Sequence, residues 1–162
     1  MPNARRFALA ALLLGGSAVL AGAVVSLSTP AYAGARVPPA SALPWPVTTA
    51  ATDRRPPFVL LYVDSHCSHC SRAAVLVDSF VAARRLRGII MSGETPGDAD
   101  AYTRRLGLRL PIATDSSFVL LHAIGTRSVP TMVLFHADGS RQLVVGFTGD
   151  RQYRKTLTEF ER

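Results

Sequence analysis

Three features of this sequence predict an α/β domain, a mixed central sheet sandwiched by helices. Phe58 to Val63 is an unbroken apolar run of strand length, the pattern of a central strand covered on both faces. Segments of helical and strand character alternate after it. The series closes on two strand-like runs, Thr131 to Phe135 and Gln142 to Phe147, joined through Ala137-Asp138-Gly139-Ser140, a hairpin signal. A hairpin added to alternating units places antiparallel strands beside parallel ones in one sheet.

The first 33 residues have the pattern of an export signal. Arg5 and Arg6 give a positive start, Phe7 to Leu27 carries no charge, and Ala31-Tyr32-Ala33 offers a small-x-small cleavage pattern, so residues 1–33 are expected to be removed. The uncharged stretch is also long enough to stay as a membrane anchor over residues 7–27, and either outcome puts the rest of the chain outside the cytoplasm, in the periplasm, cell envelope or extracellular space. The arginine pair is compatible with general or twin-arginine export. Residues 34–57 are rich in proline, alanine and threonine without periodicity and read as a lead-in, a spacer or loose wrap, with Trp45 in irregular chain rather than docked on the core. Residues 58–162 form the domain.

Within it, Ser68 to Leu86 has helical period (Ala74, Val77, Val81) and meets a glycine stop at Gly88; Ile89 to Met91 is a short strand. Ser92 to Gly97 is loop. Pro96 to Leu106 forms a helix, with Asp98 and Asp100 early, Arg104 and Arg105 late, and Gly107 closing it. Leu108 to Ala113 is extended, and Asp115-Ser116-Ser117 caps a helix reaching about Ile124. Asp150 to Phe160 is a final amphipathic helix, and Phe147 reads as core.

The chain is basic, +7 formally, and +5 once Arg5 and Arg6 are gone, with 17 arginines against one lysine. No basic stripe with interleaved aromatics accompanies this charge, so nucleic acid is not an expected partner; Arg84-Arg85-Leu86-Arg87 reads as the solvated end of a helix. The sequence leaves the oligomeric state open.

Only two cysteines occur, as Cys67-Ser68-His69-Cys70, between the central strand and the helix that follows it. A thiol at the mouth of a helix meets unpaired backbone N–H groups and the positive end of the dipole, which favour the nucleophilic thiolate. A second thiol one turn on can attack a mixed disulfide and release the bound partner. The pair therefore reads as redox-active. His69 between the thiols, when it carries a proton, stabilises the Cys67 thiolate and so the reduced form, which predicts a mid-range to oxidising pair rather than one at thioredoxin's about −270 mV.

With Ser128-Val129-Pro130-Thr131 opening a later strand, these motifs resemble the thioredoxin superfamily, and they stand in its order. Leu106 to Asp115, Ala123-Ile124-Gly125, Val129-Pro130-Thr131, Asp138-Gly139 and Gly146 are similar to the TlpA/ResA-type branch of exported bacterial thiol–disulfide oxidoreductases, over roughly residues 57–160. The resemblance implies a thioredoxin-like fold. It implies catalysis by a reversible Cys67–Cys70 disulfide with no further cofactor, and substrates that are thiols and disulfides of other exported proteins, served by a membrane or extracytoplasmic redox partner. It also implies a cis Val129–Pro130 bond facing the dithiol, with the Val129 backbone guiding substrate. Three departures stand out: His66 replaces the tryptophan usual before the first cysteine, Leu61 replaces the usual buried aspartate or asparagine, and Ala73 replaces a glutamate found in part of the branch. Asp64 is near enough in sequence to assist Cys70 through water, but a strand-end aspartate reads first as the cap of the next turn.

The competing reading is a Cu(I)-binding metallochaperone of the same fold, since His66, Cys67, His69 and Cys70 put four borderline or soft ligands into five residues. Adjacent residues on a tight turn do not converge tetrahedrally, there is no second CxxC, and His122 and His136 lack zinc-finger spacing, so no metal site is expected. A peroxidase would require a threonine where Asp64 stands. A purely structural role for so short a disulfide loop yields little loop-closure entropy.

Overall fold

A computed structural model describes residues 37–49 and 52–161; the export segment read at residues 1–33 lies outside them. Five strands form one sheet: β1 (Phe58–Val63), β2 (Arg87–Ser92), β3 (Ile112–Thr114), β4 (Thr131–Phe135) and β5 (Arg141–Val145), in the order β3-β2-β1-β4-β5. Four helices accompany them: α1 (Ser68–Arg84), α2 (Pro96–Leu106), α3 (Val119–Ala123) and α4 (Asp150–Phe160). β1 runs parallel to β2 and antiparallel to β4, β3 is parallel to β2, and β5 is antiparallel to β4, so the sheet is mixed as expected. No helix among the described residues is long and apolar enough to cross a membrane.

The two faces of β1 explain why its sequence is apolar throughout. Val59, Leu61 and Val63 point to one layer, where they meet Ala73, Val77 and Phe80 of α1, Tyr102 of α2, and Tyr153 and Leu157 of α4. Phe58, Leu60 and Tyr62 alternate to the other face, against Leu120, Leu121 and Ile124. That second face is completed by the lead-in: Val37, Ala40 and Leu43 are buried on it. Trp45, expected in irregular chain, instead packs edge-on to Phe58 at 5.9 Å between ring centroids and donates its indole N–H to the Ala40 carbonyl at 2.6 Å. Apolar residues scattered among prolines have no period to read, yet they cover a sheet face that α3 is too short to cover alone.

α1 ends differently from expectation. Its last turn closes on Arg85 in the left-handed conformation (φ 53°), with Arg85 N–H on the Ala82 carbonyl and Leu86 N–H on that of Val81. Gly88 is a β2 residue, paired with Val59; a Cβ there would stand 3.1 Å from the Val59 carbonyl oxygen, a tight contact that favours glycine. α2 matches its expected span, with Gly107 as the left-handed cap. α3 is a five-residue helix preceded by Phe118 at φ 55°, and Asp115 supplies its capping carboxylate from three residues further back.

Asp78, inside the α1 face, is a buried acid that the helical pattern did not single out. Its carboxylate accepts from Arg109 N–H and Leu110 N–H, both at 2.7 Å, and from Arg109 Nε at 3.2 Å, pinning the chain between α2 and β3 onto α1. Asp78→Ala leaves two amides without their acceptor, and the expected loss is about 2–4 kcal/mol of unfolding free energy, read by urea denaturation with unchanged slope.

Candidate active site

Parallel pairing of β1 with β2, and antiparallel pairing with β4, brings three chain segments to one end of the central strands: the turn leaving β1, the loop leaving β2 and the loop entering β4. Tyr62 is the register partner of Met91 and of Thr131, so the residues after Tyr62, after Met91 and before Thr131 meet there. Those are the segments that hold Cys67, Glu94 and Pro130.

The turn is built by Asp64. Its carboxylate accepts from His66 N–H at 2.8 Å and its carbonyl from Cys67 N–H at 3.2 Å, the capping role expected of it. Cys67 is the N-cap of α1, and its sulfur accepts from Cys70 N–H at 3.2 Å, the place a serine or aspartate oxygen takes in an ordinary cap. Both cysteines are free thiols; Cys67 is half-buried and Cys70 fully buried. Burial, and next the contact with Cys67, push the Cys70 thiol well above the usual cysteine range, while a hydrogen bond from the Asp64 backbone opposes them. The two sulfurs are thus chemically unequal: one faces solvent at a helix N-terminus, the other lies in the core beneath it. Tyr102 and Tyr153 belong to the same buried cluster as Cys70.

His69 is exposed on the first turn of α1, with its ring stacked on Phe147 at 6.2 Å between centroids; Phe147 in turn packs on Tyr153 at 4.8 Å. Phe147, read as core, is therefore half-buried wall beside the CxxC turn. His66 turns the other way, its Nδ1 3.4 Å from Asp64 Oδ1 and 3.2 Å from Glu94 Oε1. The four residues of the copper reading do not converge: among the described residues, the grouping of metal-type ligand atoms that does is Asp64, His66 and Glu94, without either thiol.

Glu94 had no signal in the sequence. It is an acid in a glycine-containing loop, and only the β1–β2 pairing carries it to the site. Its side chain is 11 % exposed, accepts from Ser65 N–H and Ser92 Oγ, each at 3.1 Å, and from the Ser65 hydroxyl, and so holds the turn that presents Cys67.

Val129–Pro130 is a cis peptide. The loop is fixed by Thr131 Oγ1 on the Ser128 carbonyl (2.6 Å) and Gly146 N–H on the Pro130 carbonyl (2.8 Å). Among the described residues, neither the N–H nor the C=O of Val129 has a hydrogen-bond partner, and its side chain is half-buried. A free donor and acceptor on one residue of the loop entering β4 can pair with an extended segment, as an added strand pairs with a sheet edge.

No family profile and no curated protein matches the chain. Solved structures do. A secreted Mycobacterium tuberculosis disulfide oxidoreductase homologous to E. coli DsbE aligns over 64 % of this chain and 79 % of its own, with a TM-score of 0.57 and 17 % identity. StoA from Bacillus subtilis aligns over 62 % and 81 %, with a TM-score of 0.51 and 20 % identity. The pneumococcal exposed lipoprotein thioredoxin from Streptococcus pneumoniae aligns over 63 % and 83 %, with a TM-score of 0.52 and 23 % identity. The chain has the thioredoxin-like fold. Of these three, the first is a disulfide oxidoreductase and the third a thioredoxin.

Proposed function

We propose that this chain is an exported thiol–disulfide oxidoreductase that exchanges disulfides with other extracytoplasmic proteins. The observation that carries the reading is the inequality of the two sulfurs: Cys67 is accessible at the N-cap of α1, and Cys70 is buried one turn behind it. In the reducing direction, the Cys67 thiolate attacks one sulfur of a substrate disulfide. That S–S bond breaks, the Cys67–substrate bond forms, and the other substrate sulfur leaves as a thiolate. Cys70, once deprotonated, attacks the Cys67 sulfur; the mixed disulfide breaks, the Cys67–Cys70 bond forms, and the second substrate thiolate is released. Two electrons pass from the dithiol to the substrate, and the reverse sequence oxidises a substrate dithiol. The compartment's electron supply, through a membrane or extracytoplasmic redox partner, selects the direction. In this reading His69 stabilises the attacking thiolate, and Val129-Pro130 aligns the substrate backbone.

Export by residues 1–33 supplies the compartment where substrate disulfides persist. Exported proteins incubated with the Cys70→Ser variant are expected to accumulate as covalent adducts on non-reducing gels, released by dithiothreitol, because the resolving sulfur is gone. Cys67→Ser is expected to trap none. Trapping by Cys67→Ser alone reverses the assigned order of attack, equal trapping by the two variants contradicts it, and trapping by neither removes the function.

A further inference from the structure

The groove beside Val129 has a charge pattern of its own. It is a cleft of about 280 Å³ walled by Val63, Phe118, Leu121, His122, Arg127 and Val129, and also by Asp64, which stands three residues before Cys67 in the chain. A second cleft, lined further by Gly125, Thr126 and Ser128, shares His122 and Arg127 with it, so these two residues border both. The floor is apolar: Val63 and Leu121 are buried, and Phe118, 40 % exposed, is among the few large apolar side chains left open to solvent. Arg127 and His122 are both exposed. Among the described residues neither has a carboxylate within ion-pair distance, whereas Arg55, Arg72, Arg84, Arg87 and Arg109 each do. Asp64, the acid of this groove, is already engaged by His66.

Resting on the function proposed above, we infer that this groove selects extended substrate segments that carry an aspartate or glutamate close to the reacting cysteine, on one side of it only. The segment pairs its backbone with the free N–H and C=O of Val129, lays an apolar side chain on Phe118 and Leu121, and sets its carboxylate against the Arg127 guanidinium, whose planar fork takes a carboxylate through two parallel hydrogen bonds. Arg127 stands two residues before Val129 in the chain, so the carboxylate falls within a few residues of the one paired with Val129. Arg127 lies on one side of Val129 in the chain, and Asp64, the acid of the same cleft, repels an acid set against it, which makes the preference one-sided. Both effects act on the encounter and on the mixed disulfide, before Cys70 takes part.

The test uses the reduced Cys70→Ser protein and synthetic peptides whose single cysteine is joined by a disulfide to thionitrobenzoate. The Cys67 thiolate attacks the peptide sulfur, the Cys67–peptide bond forms, and thionitrobenzoate leaves as a coloured thiolate. Peptides carry aspartate or lysine at one or two residues before, or after, the cysteine, and each rate is divided by that peptide's rate with 2-mercaptoethanol. On one side of the cysteine, aspartate peptides are expected to react about two- to fivefold faster than their lysine counterparts, the range of an exposed ion pair. The ratio is expected to fall toward one in high salt and to invert in the Arg127→Glu variant. Equal normalised rates, an aspartate advantage on both sides, or a ratio unchanged by Arg127→Glu overturns the inference while leaving the exchange chemistry standing. If no peptide couples to Cys67, the proposed function falls, and the inference with it.

Discussion

Cys67→Ser is expected to lower disulfide exchange by about 10³-fold or more, measured as reduction of a peptide disulfide under dithiol turnover. A serine oxygen fits the same N-cap geometry, so the turn and α1 remain in place and the loss is chemical. Cys70 does not substitute, because its sulfur is fully buried and its thiol is pushed up by that burial, so it presents little thiolate at neutral pH and no surface for a substrate sulfur to reach. A thermal midpoint within a few degrees of the parent is the accompanying expectation. Residual activity above a few per cent in this variant means that Cys70 can be approached directly, contrary to its position in the core.

Asp115→Ala is the substitution expected to cost the fold most. Its carboxylate is 6 % exposed and collects four donors: Val119 N–H at 3.0 Å, Leu120 N–H at 2.9 Å, Leu121 N–H at 3.3 Å and the Tyr62 hydroxyl at 3.0 Å. It therefore caps α3 and satisfies a tyrosine buried near the C-terminal end of β1. Removing it orphans the helix amides and leaves the Tyr62 hydroxyl with the Asp115 carbonyl, 3.2 Å away, as its remaining partner. The expected loss is about 3–5 kcal/mol by denaturant titration, combining a lost cap with unsatisfied buried donors. Tyr62→Phe separates the two parts: it keeps the cap, and its expected loss is about 1 kcal/mol.

The same tyrosine sets a pH dependence. Burial first, then the Asp115 charge, push the Tyr62 hydroxyl far above its ordinary value of 10.0. A group raised in the folded state stabilises the fold fully below its unfolded value and loses that contribution as pH rises past it, because the unfolded chain gives up the proton first. Stability is therefore expected to fall above about pH 10, and less steeply in Tyr62→Phe; Cys70, raised by its own burial, starts the same decline nearer pH 9.

How much of this was legible in the sequence follows from the range of the forces involved. Local signals succeeded. The apolar run of β1, the hairpin at Asp138-Gly139, α2 with Gly107 behind it, α4 and the Cys67 N-cap depend on residues within a turn or two of one another. Arg85 defeated the glycine rule because two backbone hydrogen bonds to the last turn hold it left-handed, while the nearby glycine serves the strand, where the Val59 carbonyl approaches closely. Asp78, Glu94 and the stacking of His69 on Phe147 were unmarked for one reason, that their partners lie across the fold, whereas Trp45 was misread because the prolines around it leave no period. His69 and Phe147 are 78 positions apart, and Glu94 is 29 from Ser65. Of the candidate site, the sulfur pair and the Val129-Pro130 loop were readable as motifs, the second through resemblance alone. The brace behind the pair and the cation at the groove were not, because neither has a local pattern.

Alkylation of the reduced protein by iodoacetamide, resolved for each cysteine by mass spectrometry across pH 6 to 11, tests the inequality of the sulfurs most directly. Cys67 is expected to be modified first at neutral pH, while Cys70 stays protected and its modification rate keeps rising toward the alkaline end without a plateau. Equal rates for the two sulfurs at neutral pH, or earlier modification of Cys70, contradict the proposed division between attacking and resolving thiol.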